Sequence, residues 1–207
     1  METASQPVLI IIAGPNGSGK STITEKLEQN EDFPKLYINA DDIKKNEGLT
    51  DLEAWEKAEK LREDALSIGE SFAFETVFSH ESKLDLMKQA KKAGYCIELY
   101  FLCLQDSDIN VKRVQQRHKN GGHGVPVNKI KSRYDRSIQL LRQSFQLADK
   151  VMVFNNSFEK PELIARKNED GQVHIYPLHD KKPESIWTTI AVKELIGLNN
   201  DINQTDL

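Results

Sequence analysis

The feature that most constrains this sequence is a glycine-rich segment, Gly14-Pro15-Asn16-Gly17-Ser18-Gly19-Lys20-Ser21-Thr22, which matches the pattern G-x-x-x-x-G-K-[ST]. It directly follows an apolar run and directly precedes a helical pattern, which are the strand and helix that a phosphate-binding loop requires. Glycines let backbone N–H groups converge on phosphate oxygens, and the helix directs its positive N-terminal end at them. The pattern predicts that the whole segment lines a nucleotide site, with Lys20 at the β- and γ-phosphates and Ser21 on Mg²⁺.

The rest of the chain alternates short apolar runs with amphipathic stretches. We predict strands at 7–13, 35–39, 72–77, 96–104 and 150–154, and helices at 20–30, 51–68, 82–93, 109–118 and 128–148. Short continuous apolar runs fit strands buried on both faces, so the alternation predicts an α/β fold with a mostly parallel sheet flanked by helices.

The last part of the chain has a different pattern. Two short runs, 163–167 and 172–176, flank Asp170-Gly171, a pair that favours the tight turn of a β-hairpin. A final helix is predicted at 184–196, followed by a frayed polar tail at 199–207. We therefore expect one P-loop kinase-like domain over residues 1–198 with a C-terminal hairpin.

Composition excludes several classes of protein. The 28 Lys plus Arg against 32 Asp plus Glu leave a net charge of −4, so we expect no nucleic-acid partner. No apolar run approaches the ~20 residues of a membrane span, and no secretory signal is apparent, so we expect a cytoplasmic protein without a membrane partner.

Cys96 and Cys103 lie in one predicted strand, about 23 Å apart, too far for a disulfide. Trp55 and Trp187 are expected to pack in the core or cap it.

Two adjacent carboxylates, Asp41 and Asp42, follow the strand predicted at 35–39. In a parallel sheet that edge faces the ligand crevice. One carboxylate could accept the proton of a substrate hydroxyl while the other caps the next helix, or both could be cap and turn residues. Glu75 lies within an apolar strand, where a charge must be solvated, paired or functional.

The predicted strand at 96–104 reaches Asp106 only after Gln105, which is a poor match to the metal-binding strand end of a motor ATPase. Small-molecule kinases need less: a carboxylate for the acceptor hydroxyl and cations for the transferred phosphoryl group. The absence of a motor-ATPase strand end therefore favours a small-molecule kinase.

Arginines flank the glycine-rich turn at 121–126 and predict a helical lid over about residues 108–136. Its closure would bring guanidinium groups onto the phosphate and exclude water. Any one arginine could equally be a solvated surface charge. His123, in the turn, is either a substrate contact or structural. The arginines are Arg113, Arg117, Arg133 and Arg136.

With these residues the chain resembles the zeta toxin family, P-loop kinases that include bacterial toxins phosphorylating UDP-N-acetylglucosamine. The resemblance covers about residues 8–157. It rests on the P-loop, the Asn39-Ala40-Asp41 corner, the Phe74-Glu75-Thr76 strand end and the arginine lid. It implies that Asp41 is the general base for a sugar hydroxyl, that Lys20 is the phosphate lysine, and that Arg117 and Arg133 are the lid arginines.

The function that we predict on this basis is transfer of the γ-phosphate of ATP, with Mg²⁺, to a hydroxyl of a UDP-sugar such as UDP-N-acetylglucosamine. Ser21 and Asp41 are the predicted metal ligands, and Asp41, Glu75, Thr76 and His123 the predicted substrate contacts. Two alternatives stay open: a kinase of another small metabolite, such as a nucleoside or nucleotide, and a non-catalytic ATP-gated binding module. The resemblance also implies an antitoxin protein as a partner, which would cover the edge holding Lys20 and Asp41.

Overall fold

The computed structural model describes residues 6–122, 124–176 and 189–198. Within these residues, strands form a single sheet from β1 (Val8–Ala13), β2 (Leu36–Ile38), β3 (Phe72–Thr76), β4 (Cys96–Cys103), β5 (Lys150–Asn155), β6 (Glu162–Lys167) and β7 (Val173–Ile175). Their order across the sheet is β2-β3-β1-β4-β5-β6-β7. The first five are parallel, and β6 and β7 are antiparallel at one edge. The predicted α/β fold with a C-terminal hairpin is confirmed.

Helices cover both faces of this sheet. One face, which includes the side chains of Leu9, Ile11 and Phe74, packs against the longer helices. The other face, with Ile10 and Ile12, packs against Ile23 and Leu27 near the P-loop. The helices are α1 (Lys20–Leu27), α2 (Ala40–Glu47), α3 (Asp51–Ile68), α4 (Ser82–Lys92), α5 (Ser107–Lys119), α6 (Val127–Leu147) and α7 (Thr189–Ile196). No helix of the described residues is long and apolar enough for a bilayer span.

Strand register brings the ends of the central strands together. Ala13, the last residue of β1, pairs with Thr76 at the end of β3 and with Phe101 near the end of β4. Cys103 in turn pairs with Asn155, the last residue of β5. Because these strands are parallel, the segments that follow them all leave at one edge, where α/β proteins bind their ligands. The P-loop therefore shares this edge with the segments after β3, β4 and β5.

The element α2 was not predicted. It begins after Asn39, whose side chain accepts a hydrogen bond from the backbone N–H of Asp41, and it ends at Gly48, which is in the left-handed region with φ 69°. The expectation that Asp41 or Asp42 caps this helix through its carboxylate is wrong, because an amide oxygen one residue upstream of the helix already satisfies the first-turn donor.

Three further expectations concern the tryptophans, the cysteines and the C-terminal helix. Trp55, predicted to pack in the core or cap it, is 51% exposed on α3 and so does not lie in the core, and Trp187 lies outside the described residues. Cys96 and Cys103 are both free, as their spacing predicted, and both are buried. Of the final helix, 189–196 is confirmed, while 184–188 and the tail at 199–207 lie outside the described part of the chain.

Candidate functional site

The P-loop passes close to neighbouring backbone and side chains, so it needs glycine at particular positions. Gly14 adopts φ 145°, and a Cβ built there would lie 2.1 Å from the carbonyl oxygen of Leu102. Gly19 is the N-cap of α1 with φ 92°, and a Cβ there would lie 2.4 Å from Nδ2 of Asn156. No side chain caps α1, so its first-turn N–H groups are open to an anion at the helix N-terminus. This geometry fits a bound phosphate chain.

Lys20 is the cation of this loop. Its Nζ donates hydrogen bonds to the carbonyl oxygens of Gly14, at 2.9 Å, and Pro15, at 3.2 Å. Burial lowers the pKa of Lys20 to about 8; the negative charges of Glu75 and Asp41 oppose this shift, and the positive charge of Arg117 adds to it. Three predicted site residues therefore lie within electrostatic reach of the lysine.

Glu75 contacts the first turns of α1. Its Oε1 accepts a hydrogen bond from the Thr24 hydroxyl at 2.6 Å, and its Oε2 accepts one from the Ser21 hydroxyl at 3.2 Å. The sequence predicted Glu75 as a substrate contact, whereas the structure brings it to Ser21, the predicted metal ligand. A serine hydroxyl beside a carboxylate supplies the oxygen ligands that Mg²⁺ prefers, so these two residues fit a magnesium site.

Asp41 lies in the first turn of α2 and is exposed. Its backbone N–H donates to Oδ1 of Asn39 at 2.9 Å, while Nδ2 of Asn39 donates to the hydroxyl of Tyr37 at 3.1 Å. Burial, together with the charge of Glu75, raises the pKa of Tyr37, so this hydroxyl stays neutral. Asn39 thus fixes the backbone of Asp41 and leaves the carboxylate accessible to a substrate.

The first helix of the predicted lid is attached to the P-loop. Asn110 of α5 is fully buried, and its Nδ2 donates to the carbonyl oxygen of Asn16 at 2.6 Å. Val114 of the same helix lies against Gly17. Arg117, nearly one turn further along, is exposed. Because α5 is anchored at Asn110, the placement of Arg117 depends on the conformation of the P-loop.

The second lid helix contacts other parts of the edge. Arg136 of α6 donates through Nε to the carbonyl oxygen of Ser79 at 3.1 Å. Arg133 is half-buried, and in the described part of the chain no hydrogen bond or ion pair joins it to the P-loop. Thr76 accepts a hydrogen bond from the backbone of Phe78 through Oγ1. His123 lies outside the described residues.

The sequence did not single out some of the residues that hold the P-loop. Asn156 donates through Nδ2 to the carbonyl oxygen of Ser18 at 2.8 Å. Asn156 follows the strand predicted at 150–154, which places it at the same sheet edge as the P-loop, but no sequence pattern indicates this contact. Asn110 and Thr24 had no recognisable signal, because their partners, Asn16 and Glu75, lie 94 and 51 residues away in the sequence.

Comparison with known proteins gives one family and one fold. A family model described as Zeta toxin matches residues 1–179. An uncharacterized protein of Haemophilus influenzae strain Rd is 33% identical over 130 residues, which cover 60% of this chain and 91% of that protein. The crystal structure of AvrRxo1-ORF1:-ORF2 with ATP has a TM-score of 0.66 at 16% identity, covering 98% of this chain and 67% of that one. The structure of the PezAT chromosomal toxin–antitoxin system of Streptococcus pneumoniae has a TM-score of 0.55 at 15% identity, covering 98% and 82%.

Proposed function

The chain belongs to the zeta toxin family, and from this premise we propose that it is a kinase that transfers the γ-phosphate of ATP, in the presence of Mg²⁺, to a hydroxyl of a UDP-sugar such as UDP-N-acetylglucosamine. One observation carries the proposal: the half-buried P-loop lysine lies within electrostatic reach of Asp41, Glu75 and Arg117. A cation, two carboxylates and a lid arginine at one phosphate loop are the groups that phosphoryl transfer needs.

Each residue has a separate role in this proposal. Asp41 accepts the proton of the acceptor hydroxyl as its oxygen attacks the γ-phosphorus, while the bond from that phosphorus to the bridging oxygen breaks and ADP leaves. Lys20, Arg117 and Arg133 stabilise the negative charge spread over the transferring group. Ser21 and Glu75 would hold Mg²⁺, with Asp41 as a further ligand, and the ion supplies charge neutralisation on the phosphates.

The placement of Asp41 supports its role as base. The carboxylate is exposed while its backbone is fixed by Asn39, and β2, which precedes it, is the neighbour of β3 in the sheet. An acceptor bound at Asp41 would therefore lie beside the end of β3 and next to Lys20. Thr76, at that strand end, and His123 remain proposed substrate contacts.

The test is transfer of labelled γ-phosphate to a panel of UDP-sugars, nucleosides and nucleotides by the wild type and Asp41→Asn. We expect Asp41→Asn to lower kcat by about 10²- to 10⁴-fold, the usual contribution of a general base, with nearly unchanged ATP affinity. Asp42→Asn removes the adjacent exposed carboxylate and serves as the matched control.

Other outcomes would replace parts of the proposal. Transfer to a different acceptor would keep the mechanism and change the substrate to another metabolite. ATP binding without transfer to any acceptor would favour a binding module. Full activity of Asp41→Asn on a UDP-sugar would exclude Asp41 as the base.

We also propose a protein partner that covers the edge holding Lys20 and Asp41. Two structures with this fold are described as complexes or systems of two components, AvrRxo1-ORF1:-ORF2 and PezAT. A partner of this kind should co-purify with the chain and weaken its ATP binding. If a co-purifying partner leaves the ATP affinity unchanged, it does not bind at the edge holding Lys20 and Asp41.

A further inference from the structure

The turn after β3 contains a strained residue. Phe78 has φ 56°, and among the described residues it alone combines a positive φ with a side chain. Bulky L-residues rarely adopt this conformation, because their Cβ approaches the following carbonyl oxygen. Its ring is nevertheless fully buried. Such a conformation persists only where the surrounding structure enforces it.

Contacts on two sides enforce this turn. On one side, Thr76 accepts a hydrogen bond from the backbone N–H of Phe78 at 3.1 Å, and its own carbonyl oxygen accepts one from the backbone N–H of Gly14 at 3.2 Å. On the other side, the carbonyl oxygen of Ser79 accepts the hydrogen bond from Nε of Arg136. The turn therefore connects the start of the P-loop with α6.

The helix that supplies Arg136 is itself fixed across the edge of the sheet. Two residues earlier, the hydroxyl of Tyr134 donates to the carbonyl oxygen of Leu104 at 2.8 Å, just after β4. Ser137, the next residue after Arg136, is fully buried. Arg136 is itself exposed but reaches from this anchored helix to the turn after β3. The two contacts place α6 over the ends of β3 and β4.

We propose that Arg136 is a positioning residue that holds the turn from Thr76 to Ser79 as one wall of the acceptor site. This inference rests on the proposed function, since that function places the acceptor beside Asp41 and the end of β3. Arg136 acts through the backbone of the turn and not as a cation on the transferring phosphoryl group. Loss of Arg136 should therefore weaken binding of the acceptor and leave ATP binding intact.

Steady-state kinetics of Arg136→Ala and Arg136→Gln test this role. For Arg136→Ala we expect the KM for the acceptor to rise about tenfold, with an ATP Kd within twofold of wild type. Glutamine keeps an N–H donor without the charge, so Arg136→Gln should recover part of the loss. Lys129→Ala, which removes an exposed charge from the same helix, is the control and should match wild type. An equal fall in kcat in both Arg136 variants, with an unchanged acceptor KM, would identify a phosphate-binding cation and overturn the proposal.

Hydrogen exchange of the peptide spanning 76–81 tests the contact without any acceptor. Exchange should be faster in Arg136→Ala than in wild type and Lys129→Ala. Unchanged exchange would overturn the positioning role even if catalysis were impaired, and faster exchange with an unchanged acceptor KM would overturn the link to the acceptor site. If the wild type transfers phosphate to no acceptor, the proposed function fails, and the exchange experiment still decides whether Arg136 holds the turn.

Discussion

Single residues decide whether the P-loop can bind a nucleotide, and Gly19 is the clearest test. An alanine there would combine a strained φ of 92° with a Cβ placed 2.4 Å from Nδ2 of Asn156. We expect Gly19→Ala to reduce ATP affinity more than tenfold. Gly48→Ala is the matched control, because Gly48 also has a positive φ, of 69°, but nothing lies within 4 Å of the added Cβ. It should cost about 1 kcal/mol of stability and leave ATP binding unchanged. Calorimetric titration of both variants measures the difference; equal ATP affinities would contradict this account of the loop.

The charge of Lys20 makes nucleotide binding depend on pH. Burial lowers the pKa of Lys20 to about 8, so the ammonium is lost as the pH rises through that value, and ATP affinity should fall on the alkaline side. The charge of Arg117 contributes to this lowering, so Arg117→Gln should raise the pKa of Lys20 and move the alkaline loss of binding to higher pH. ATP Kd values between pH 7 and 9.5 measure the effect, with Arg142→Gln, an exposed arginine on α6, as control. If the pH profile of the ATP Kd is unchanged in Arg117→Gln, the charge of Arg117 does not affect the pKa of Lys20.

Residues of the P-loop could be placed from the sequence because the motif carries its own geometry. Lys20 and Ser21 lie at the start of α1, directly after the loop that begins at the end of β1. Glu75 could be identified as a charge inside a buried strand, but its hydrogen bonds to Ser21 and Thr24 required the register of β1 with β3. The pattern within one segment therefore predicted which residues lie at the site. The hydrogen bonds between segments could not be predicted, because they depend on how the strands pair.

At the scale of elements, the short helix α2 places the proposed base. Asn39→Ala removes the side-chain cap of α2 and should cost about 1 kcal/mol of stability. It should also lower kcat, since the Asp41 backbone loses its hydrogen-bond acceptor. Thr50→Ala removes a comparable cap, the capping box of α3, and should cost a similar stability with kcat unchanged. Denaturant unfolding and phosphotransfer assays on both variants test the prediction. Equal kcat values for the two would show that the cap does not position Asp41.

Of the strands and helices in the described residues, only α2 was missed, although the predicted strands β2 and β7 are even shorter. The helix α3 was predicted with the bounds that it has, Asp51–Ile68, because its helical pattern extends over 18 residues. The helix α2 was missed because its eight residues are mostly polar and follow a three-residue strand. Trp55 was predicted from its residue type to pack in the core or cap it, yet about half of it is exposed to solvent on α3. Arg62, by contrast, is a charged residue that is buried, with 4% of its surface exposed. Its guanidinium lies 4.9 Å from the centre of the Phe74 ring and is paired with Glu59. No local pattern distinguishes such an arginine from a surface one.

At the scale of the whole molecule, the P-loop conformation depends on contacts from distant parts of the chain. Asn110 and Asn156 bind backbone carbonyls of the loop across 94 and 138 residues of sequence. The backbone N–H of Gly14 donates to the carbonyl oxygen of Thr76 in a neighbouring strand. An unfolded chain has none of these contacts, so it cannot present the phosphate site. Nucleotide binding should therefore be linked to the stability of the entire domain.

This linkage gives a prediction for the intact protein. A ligand that binds only the folded state at a concentration of 100 times its Kd stabilises that state by about 2.7 kcal/mol. For a chain of this size each kcal/mol raises Tm by roughly 2–4 °C, so saturating ATP with Mg²⁺ should raise Tm by roughly 5–10 °C. Lys20→Met should abolish the shift because the P-loop cation is gone, whereas Lys26→Met, which removes an exposed lysine from the same helix, should keep it. Scanning calorimetry of the three proteins with and without ATP measures the shifts. Since the linkage acts through the folded state alone, an equal shift in Lys20→Met would mean that ATP stabilises the protein from a site other than the P-loop.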